Sequence, residues 1–266
     1  MTKHAFSRQG TTDQAAALRS LQAVGHGSSR SGGPRFLALA RAPWMEQAHL
    51  AEDLALSLAR LGQRVLIVTS PERDASRRAE VRIEAVPGAD ELGTVARLVA
   101  RGPGPAGSGL RAYVEKLSHR FDVVLVDLGT APDDIDLLGL LPRDELIFVA
   151  QSDSEVLFKT YALIKDLCVR RRLQTLHLIV GDADDEGSAR ELHRALSAVA
   201  KSFIHVDIRF AGCLPRLRAW TPPVASNLDA ISPLRRMPSV PALTRIATRL
   251  MEDHNTASVT WGGGNR

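Results

Sequence analysis

The turn from Arg41 to His49, reading Arg-Ala-Pro-Trp-Met-Glu-Gln-Ala-His, carries the most chemical information in the chain. It follows an apolar run, Phe36 to Ala40, and leads into a segment whose Ala51, Leu54, Ala55, Leu58 and Leu61 recur at helical spacing before Gly62. In a parallel sheet, such a first strand-to-helix turn is where backbone N–H groups and the positive end of the helix gather a phosphate. That chemistry asks for glycines, for a lysine on the outer phosphates, and for a Ser or Thr hydroxyl on Mg²⁺. The turn supplies none of them: it has no glycine, Pro43 has no N–H to donate, Trp44 adds bulk, and Glu46 sets a carboxylate where polyphosphate would lie. Hydrogen bonds to charged groups contribute roughly 1.5–3 kcal/mol each, so losing the lysine and one or two amides costs about 4–8 kcal/mol, or about three to five decades of affinity.

Other residues that could do chemistry have plainer readings. Asp182, Asp184, Asp185 and Glu186 follow a strand and precede a helix, where acidic side chains favour the helix N-terminus, so no metal site is expected. Cys168 and Cys213 are the only thiols and have no Cys or His at ligand spacing, which predicts two buried, reduced, structural cysteines. Arg170, Arg171 and Arg172 close a helix and complement its negative end. Arg216, Arg218, Arg235 and Arg236 could form a basic surface toward DNA, but a net charge of +4 does not by itself select that partner. No His and Ser pair has a context for nucleophilic catalysis, and no catalytic residue is assigned.

The elements that must position these residues alternate between short apolar runs and amphipathic segments, the pattern of an α/β fold with a mainly parallel sheet flanked by helices. Strands are predicted at Phe36–Ala40, Arg64–Thr69, Val81–Val86, Asp122–Asp127, Glu145–Ala150, Leu176–Val180 and Val206–Gly212. After the helix that ends at Gly62, further helices are predicted at Glu91–Arg101, Gly109–Arg120, Glu155–Arg171, Glu186–Ser202 and Val240–Asp253, with Gly102–Gly109 as a connector. The apolar content of 44% suits a globular core, and no apolar run approaches the roughly 20 residues of a spanning helix. Ahead of this domain, Gly25–Gly33 has no apolar side chain and reads as a flexible tether. Thr11 and Gln14 have capping-box spacing, and Ala15, Leu18 and Leu21 then fall on one face of a short helix. So short a helix is marginal alone in water and should become ordered by docking on its own domain or on another protein.

The order of these pieces resembles the MinD/ParA family of P-loop ATPases. Asp53 to Val68, reading Asp-Leu-Ala-Leu-Ser-Leu-Ala-Arg-Leu-Gly-Gln-Arg-Val-Leu-Ile-Val, is similar to that family's first helix and second strand. Phe121 to Asp127 resembles its strand ending in a Walker-B-like aspartate, Asp144 to Ala150 with Ser154 to Leu167 its next strand and helix, and Phe210 to Pro215 the segment after its last strand. Asp13 to Arg19, reading Asp-Gln-Ala-Ala-Ala-Leu-Arg, resembles the N-terminal D-Q-A-x-x-L-R motif of the FlhG, FleN or YlxH members. The family's signature lysine aligns with Ala42, its phosphate-loop lysine with Gln47, its Mg²⁺ hydroxyl with Ala48, and its two D-x-D aspartates with Thr69 and Pro71.

The resemblance implies a MinD/ParA-type P-loop NTPase fold over residues 35–253, an N-terminal motif and linker over 1–34, and a flexible tail over 254–266. It implies that Asp13, Gln14, Ala15, Leu18 and Arg19 touch an FlhF-type flagellar GTPase, and that Gln47, Asp127 and Pro215 are vestiges of a nucleotide site. ATP with Mg²⁺ is the family's ligand; the departures predict no bound cofactor and no hydrolysis. The expected role is regulation of flagellar number or placement through protein contacts, with flagellar switch or transcriptional regulator proteins as further partners and a homodimer as one state. The expected location is the cytoplasm, or the inner face of the cell membrane. Two alternatives stay open: an active MinD-like ATPase with an unconventional loop, cycling at the membrane, and a ParA-like non-specific DNA-binding protein. The FlhG-type C-terminal helix can target membranes, but here the stripe of Val240, Leu243, Ile246, Ala247 and Leu250 is expected to pack on the sheet, with Arg245 and Arg249 opposite.

Overall fold

The structure, a computed structural model, describes residues 33–44, 49–69, 80–86, 95–101, 106–129, 145–153, 156–171, 173, 175–215 and 240–261. Its strands are β1 (Arg35–Arg41), β2 (Val65–Thr69), β3 (Glu80–Ala85), β4 (Val95–Arg101), β5 (Val123–Gly129), β6 (Leu146–Gln151), β7 (Thr175–Ala183) and β8 (Asp207–Pro215). They form one eight-stranded sheet in the order β3-β4-β2-β5-β1-β6-β7-β8. Every neighbouring pair is parallel except β3 and β4, which run antiparallel at one edge. The helices among the described residues are α1 (Leu50–Arg60), α2 (Ala106–Ser118), α3 (Leu157–Arg171), α4 (Glu186–Ile204) and α5 (Val240–Trp261).

The α/β fold with a mainly parallel sheet is the one read from the sequence, and its cause is visible in the burial. β1, β2, β5 and β6 are buried along most of their length, because parallel strands carry helices on both faces and so lose the apolar-polar alternation of a one-sided sheet. Right-handed crossovers set the layers: β1 leads through α1 toward β2 on the β5 side, whereas β6 leads through α3 to β7 and β7 through α4 to β8 on the other. Opposite directions of travel put α1 on one face and α3 with α4 on the other. α5 packs on α1 and on β8 through Leu243, Ile246, Ala247 and Leu250, each at most 2% exposed, so the stripe belongs to the core. Arg245 is exposed, but Arg249 is half-buried and pairs with Glu186.

Three expectations need correction. The helix read at Glu91–Arg101 is not formed over its described part: Val95–Arg101 is strand β4, paired with β2 on one side and β3 on the other. Val95, Leu98 and Val99 match helical spacing, but the flanking strands offer this segment hydrogen bonds on both edges and its β-branched valines fit a pleated surface. The last helix does not stop at Asp253 but continues to Trp261, into the stretch read as a tail. Cys168 is buried, with its thiol pushed up to about 11 by burial, whereas Cys213 is half-buried; both are free. The N-terminal motif and its tether up to residue 32 lie outside the described residues.

Candidate functional site

The chain leaves β1 toward one side of the sheet and β6 toward the other, so the carboxyl ends of β1, β5 and β6 frame the crevice where open α/β sheets bind ligands. The groups at that crevice are largely engaged with one another. Ala42 is fully buried and donates its N–H to the Val149 carbonyl at 3.1 Å, which ties the start of the loop to β6. Trp44 packs against the core, and its indole N–H is buried without a partner.

Arg41, the last residue of β1, places its guanidinium 3.7 Å from a carboxylate oxygen of Asp127 on β5. Both side chains are nearly buried, at 11% and 13% exposure. The same Asp127 oxygen accepts the Gly129 N–H at 2.9 Å. Gly129 has φ 58°, a left-handed backbone that suits glycine, where the chain leaves β5. Burial pushes the Asp127 carboxyl above its ordinary range; the Gly129 N–H, Arg41 and Arg97 pull against that, and Glu52 adds to it. Thr69, at the tip of β2, stands beside Asp127 in register.

The remaining charges come from α1 and β4. Glu52, in the first turn of α1, makes an ion pair with Arg97 from β4, and His49 approaches Glu52 at 3.5 Å. Asp53 beside it has its carboxyl raised to about 6, first by burial and then by Glu52, with His49 and Arg60 opposing. A helix N-terminus attracts anions, and here Glu52 and Asp53 already supply negative charge to that turn. Arg41 and Arg97 thus stand among the carboxylates of Asp127, Glu52 and Asp53 around these strand ends.

Of the residues singled out from the sequence, Asp127 lies at the centre of this cluster. Pro215 ends β8, separated from β1 by β6 and β7, so the two are not brought together. Gln47, Ala48 and Pro71 lie outside the described residues, as do Asp13, Gln14, Ala15, Leu18 and Arg19 and the four arginines Arg216, Arg218, Arg235 and Arg236. Arg41, Glu52 and Arg97 were given no role in the sequence reading. A charged residue ending a fully apolar strand was the available signal for Arg41; Arg97 was hidden inside the segment misread as a helix. Asp185 caps α4 by accepting the Ser188 N–H at 2.8 Å, and among the described residues no group of three His, Cys, Asp or Glu side chains could hold a metal. No helix among them is long and apolar enough to cross a membrane.

No protein-family profile matches the chain, and no curated protein matches its sequence. Solved structures do match its fold. The cell division ATPase MinD of Pyrococcus furiosus superposes with a TM-score of 0.54 at 11% identity, covering 82% of this chain and 98% of that one. The MinD cell division protein of Aquifex aeolicus gives 0.52 at 13% identity, over 82% and 97%. A plasmid partition protein of Borrelia burgdorferi gives 0.53 at 10% identity, over 84% and 100%. Identities this low establish architecture and nothing finer, and the architecture is that of the MinD/ParA-type P-loop NTPases.

Proposed function

We propose that the chain is a regulatory protein that keeps the architecture of a nucleotide switch and works through protein contacts, as a pseudo-ATPase of the FlhG kind. The Arg41–Asp127 ion pair carries the non-hydrolytic half of this reading. The one acidic side chain retained from the family's site is neutralised from within, beside a loop start whose N–H is already bound to β6. The resemblance of Asp13 to Arg19 to the FlhG motif supports the other half, in which the N-terminal helix stimulates an FlhF-type GTPase and so sets flagellar number or placement. Flagellar switch or transcriptional regulator proteins are the further partners of this reading.

Titration calorimetry with Mg²⁺ and ATP up to millimolar nucleotide tests the first half; absence of heat supports it, and micromolar binding overturns it. GTP turnover by an FlhF-type GTPase, with and without the chain, tests the second. Stimulation should be lost in Leu18→Asp and in Arg19→Ala while β1 and β5 keep their amide-exchange protection; loss of protection throughout the sheet would place the helix in the core instead. Retention of Asp127 at the tip of β5 favours a second reading, an ATPase with an unconventional loop. Measurable turnover abolished by Asp127→Ala would establish that one.

A further inference from the structure

α3 and α4 pack side by side and expose large apolar side chains. On α3, Phe158 is 81% and Val169 60% exposed, and their spacing puts them on one stripe; on α4, Val199 is 39% and Phe203 74% exposed, one turn apart. Val169, Val199 and Phe203 sit in the last turns of their helices. Because each helix crosses between parallel strands, those turns lie at the edge of the sheet where the strands begin. Ala38, Leu146, Leu176 and Ile208 are level across β1, β6, β7 and β8, so the start of β1 at Arg35 lies at that same edge.

The segment that enters the domain there is amphipathic. On the opposite face the edge is occupied by α5, whose Leu250 carbonyl accepts a hydrogen bond from Arg35. On the α3 and α4 face, Val169, Val199 and Phe203 stay exposed to solvent among the described residues. Crossing from β1 to β7 takes about 10 Å at strand spacing, and rising to the helix layer about 10 Å more. A glycine-rich tether of about nine residues has a root-mean-square span of roughly 17 Å and a limit of about 30 Å, which matches that gap and excludes much of the rest of the surface.

We infer that residues 11–24 of this chain dock on its own domain, laying Ala15, Leu18 and Leu21 across the ends of α3 and α4 against Val169, Val199 and Phe203. A tether of this length holds the helix at an effective concentration on the order of millimolar, so a contact with a dissociation constant of only ~0.1 mM is closed about nine-tenths of the time. The docked helix hides its own apolar stripe, and any partner that needs the stripe must compete for it. The inference concerns the helix invoked in the proposed function but is tested on the chain alone, so either can fail without the other.

Amide hydrogen exchange on the full chain reads it directly. Leu18→Asp should speed exchange in the last turns of α3 and α4 by about tenfold, and Val199→Asp with Phe203→Ser should speed exchange across residues 11–24 by a similar factor. Unchanged exchange in β1 and β5 shows that the core is intact in both variants, and Leu18→Ser serves as the milder second variant. Tenfold dilution should change nothing. The inference is overturned if neither set of substitutions is felt across the contact, or if protection is lost on dilution, which would make the occupant a second copy of the chain.

Discussion

The Arg41 guanidinium and the Asp127 carboxylate lie 3.7 Å apart and bridge the carboxyl ends of β1 and β5 with little water around either. At that distance the relationship is one of charge more than of hydrogen bonding, and it weighs most when one partner is removed. Asp127→Ala should lower stability by about 3 kcal/mol, because a buried guanidinium is left with less opposing charge. Joint replacement, Arg41→Met with Asp127→Leu, should cost about 1 kcal/mol or less. Urea unfolding of the two single variants and the double variant measures the coupling; additive losses would show that the residues act independently.

Asp53 makes the stability of the domain depend on pH in the acid range. Its folded-state carboxyl titrates at about 6, above the ordinary carboxylate value of about 4. The folded state therefore holds the proton more tightly, and this contribution is fully present below about pH 4 and is lost as the pH rises through about 6. Asp53→Asn removes the loss and should stabilise the protein at pH 7 by about 1–2 kcal/mol after allowance for solvent screening, with no gain below about pH 4. Melting curves across that range check the sign; a benefit that grows toward low pH would refute it.

Gly212 is required by close packing. A Cβ built on it would stand 2.5 Å from Cγ1 of Ile246 on α5. Gly212→Ala should cost about 2–3 kcal/mol, since the helix must shift or the side chain leave its rotamer. Ile246→Ala, itself costly through the cavity it makes, should relieve the clash but not the strain of a side chain at φ 152°, so the double variant is less damaged than the sum of the singles while Gly212→Ala keeps part of its cost.

Arg35 fastens three parts of the chain. Its Nε and Nη2 donate to Glu145 at 2.9 and 2.6 Å, and its Nη1 donates to the Leu250 carbonyl of α5. The guanidinium fork is what makes this geometry possible, so Arg35→Lys should recover little of what Arg35→Met loses, about 2–3 kcal/mol. Exchange protection should fall first in α5; uniform loss across β5 and β6 would mean that the arginine serves only the sheet.

The parts of the fold that were legible were those where one physical pattern stood alone. α1 shows a clean apolar stripe with Gly62 after it, and β1, β2, β5 and β6 are short apolar runs with charged or turn residues at their ends. β4 was not legible because Val-Ala-Arg-Leu-Val-Ala-Arg satisfies a helical period over a stretch too short to exclude it, and only its position between β2 and β3 decides the matter. That one error concealed part of the candidate site. Read as helix, Arg97 is one more solvated charge; read as strand, it is set opposite Ile67 of β2 and comes within reach of Glu52 and Asp127. Asp127 was legible because an acidic residue at the tip of an apolar strand is conspicuous, whereas Arg41 needed the register of β1 against β5 to acquire a meaning.

The central place of β1 in the sheet also sets a timetable for folding. Its neighbours are β5 and β6, so Arg35 meets Val123, and Ala38 meets Leu146, only after the intervening segments have been synthesised. At ribosomal rates of roughly 5–20 residues per second, the gap before β5 appears is on the order of 10 s. During that interval an apolar strand emerges ahead of both partners that will bury its edges, while α1 and β2 form beside an unfilled position. The nascent chain is most exposed to aggregation, and most in need of a chaperone, in the window that closes when β5 slides in between β1 and β2.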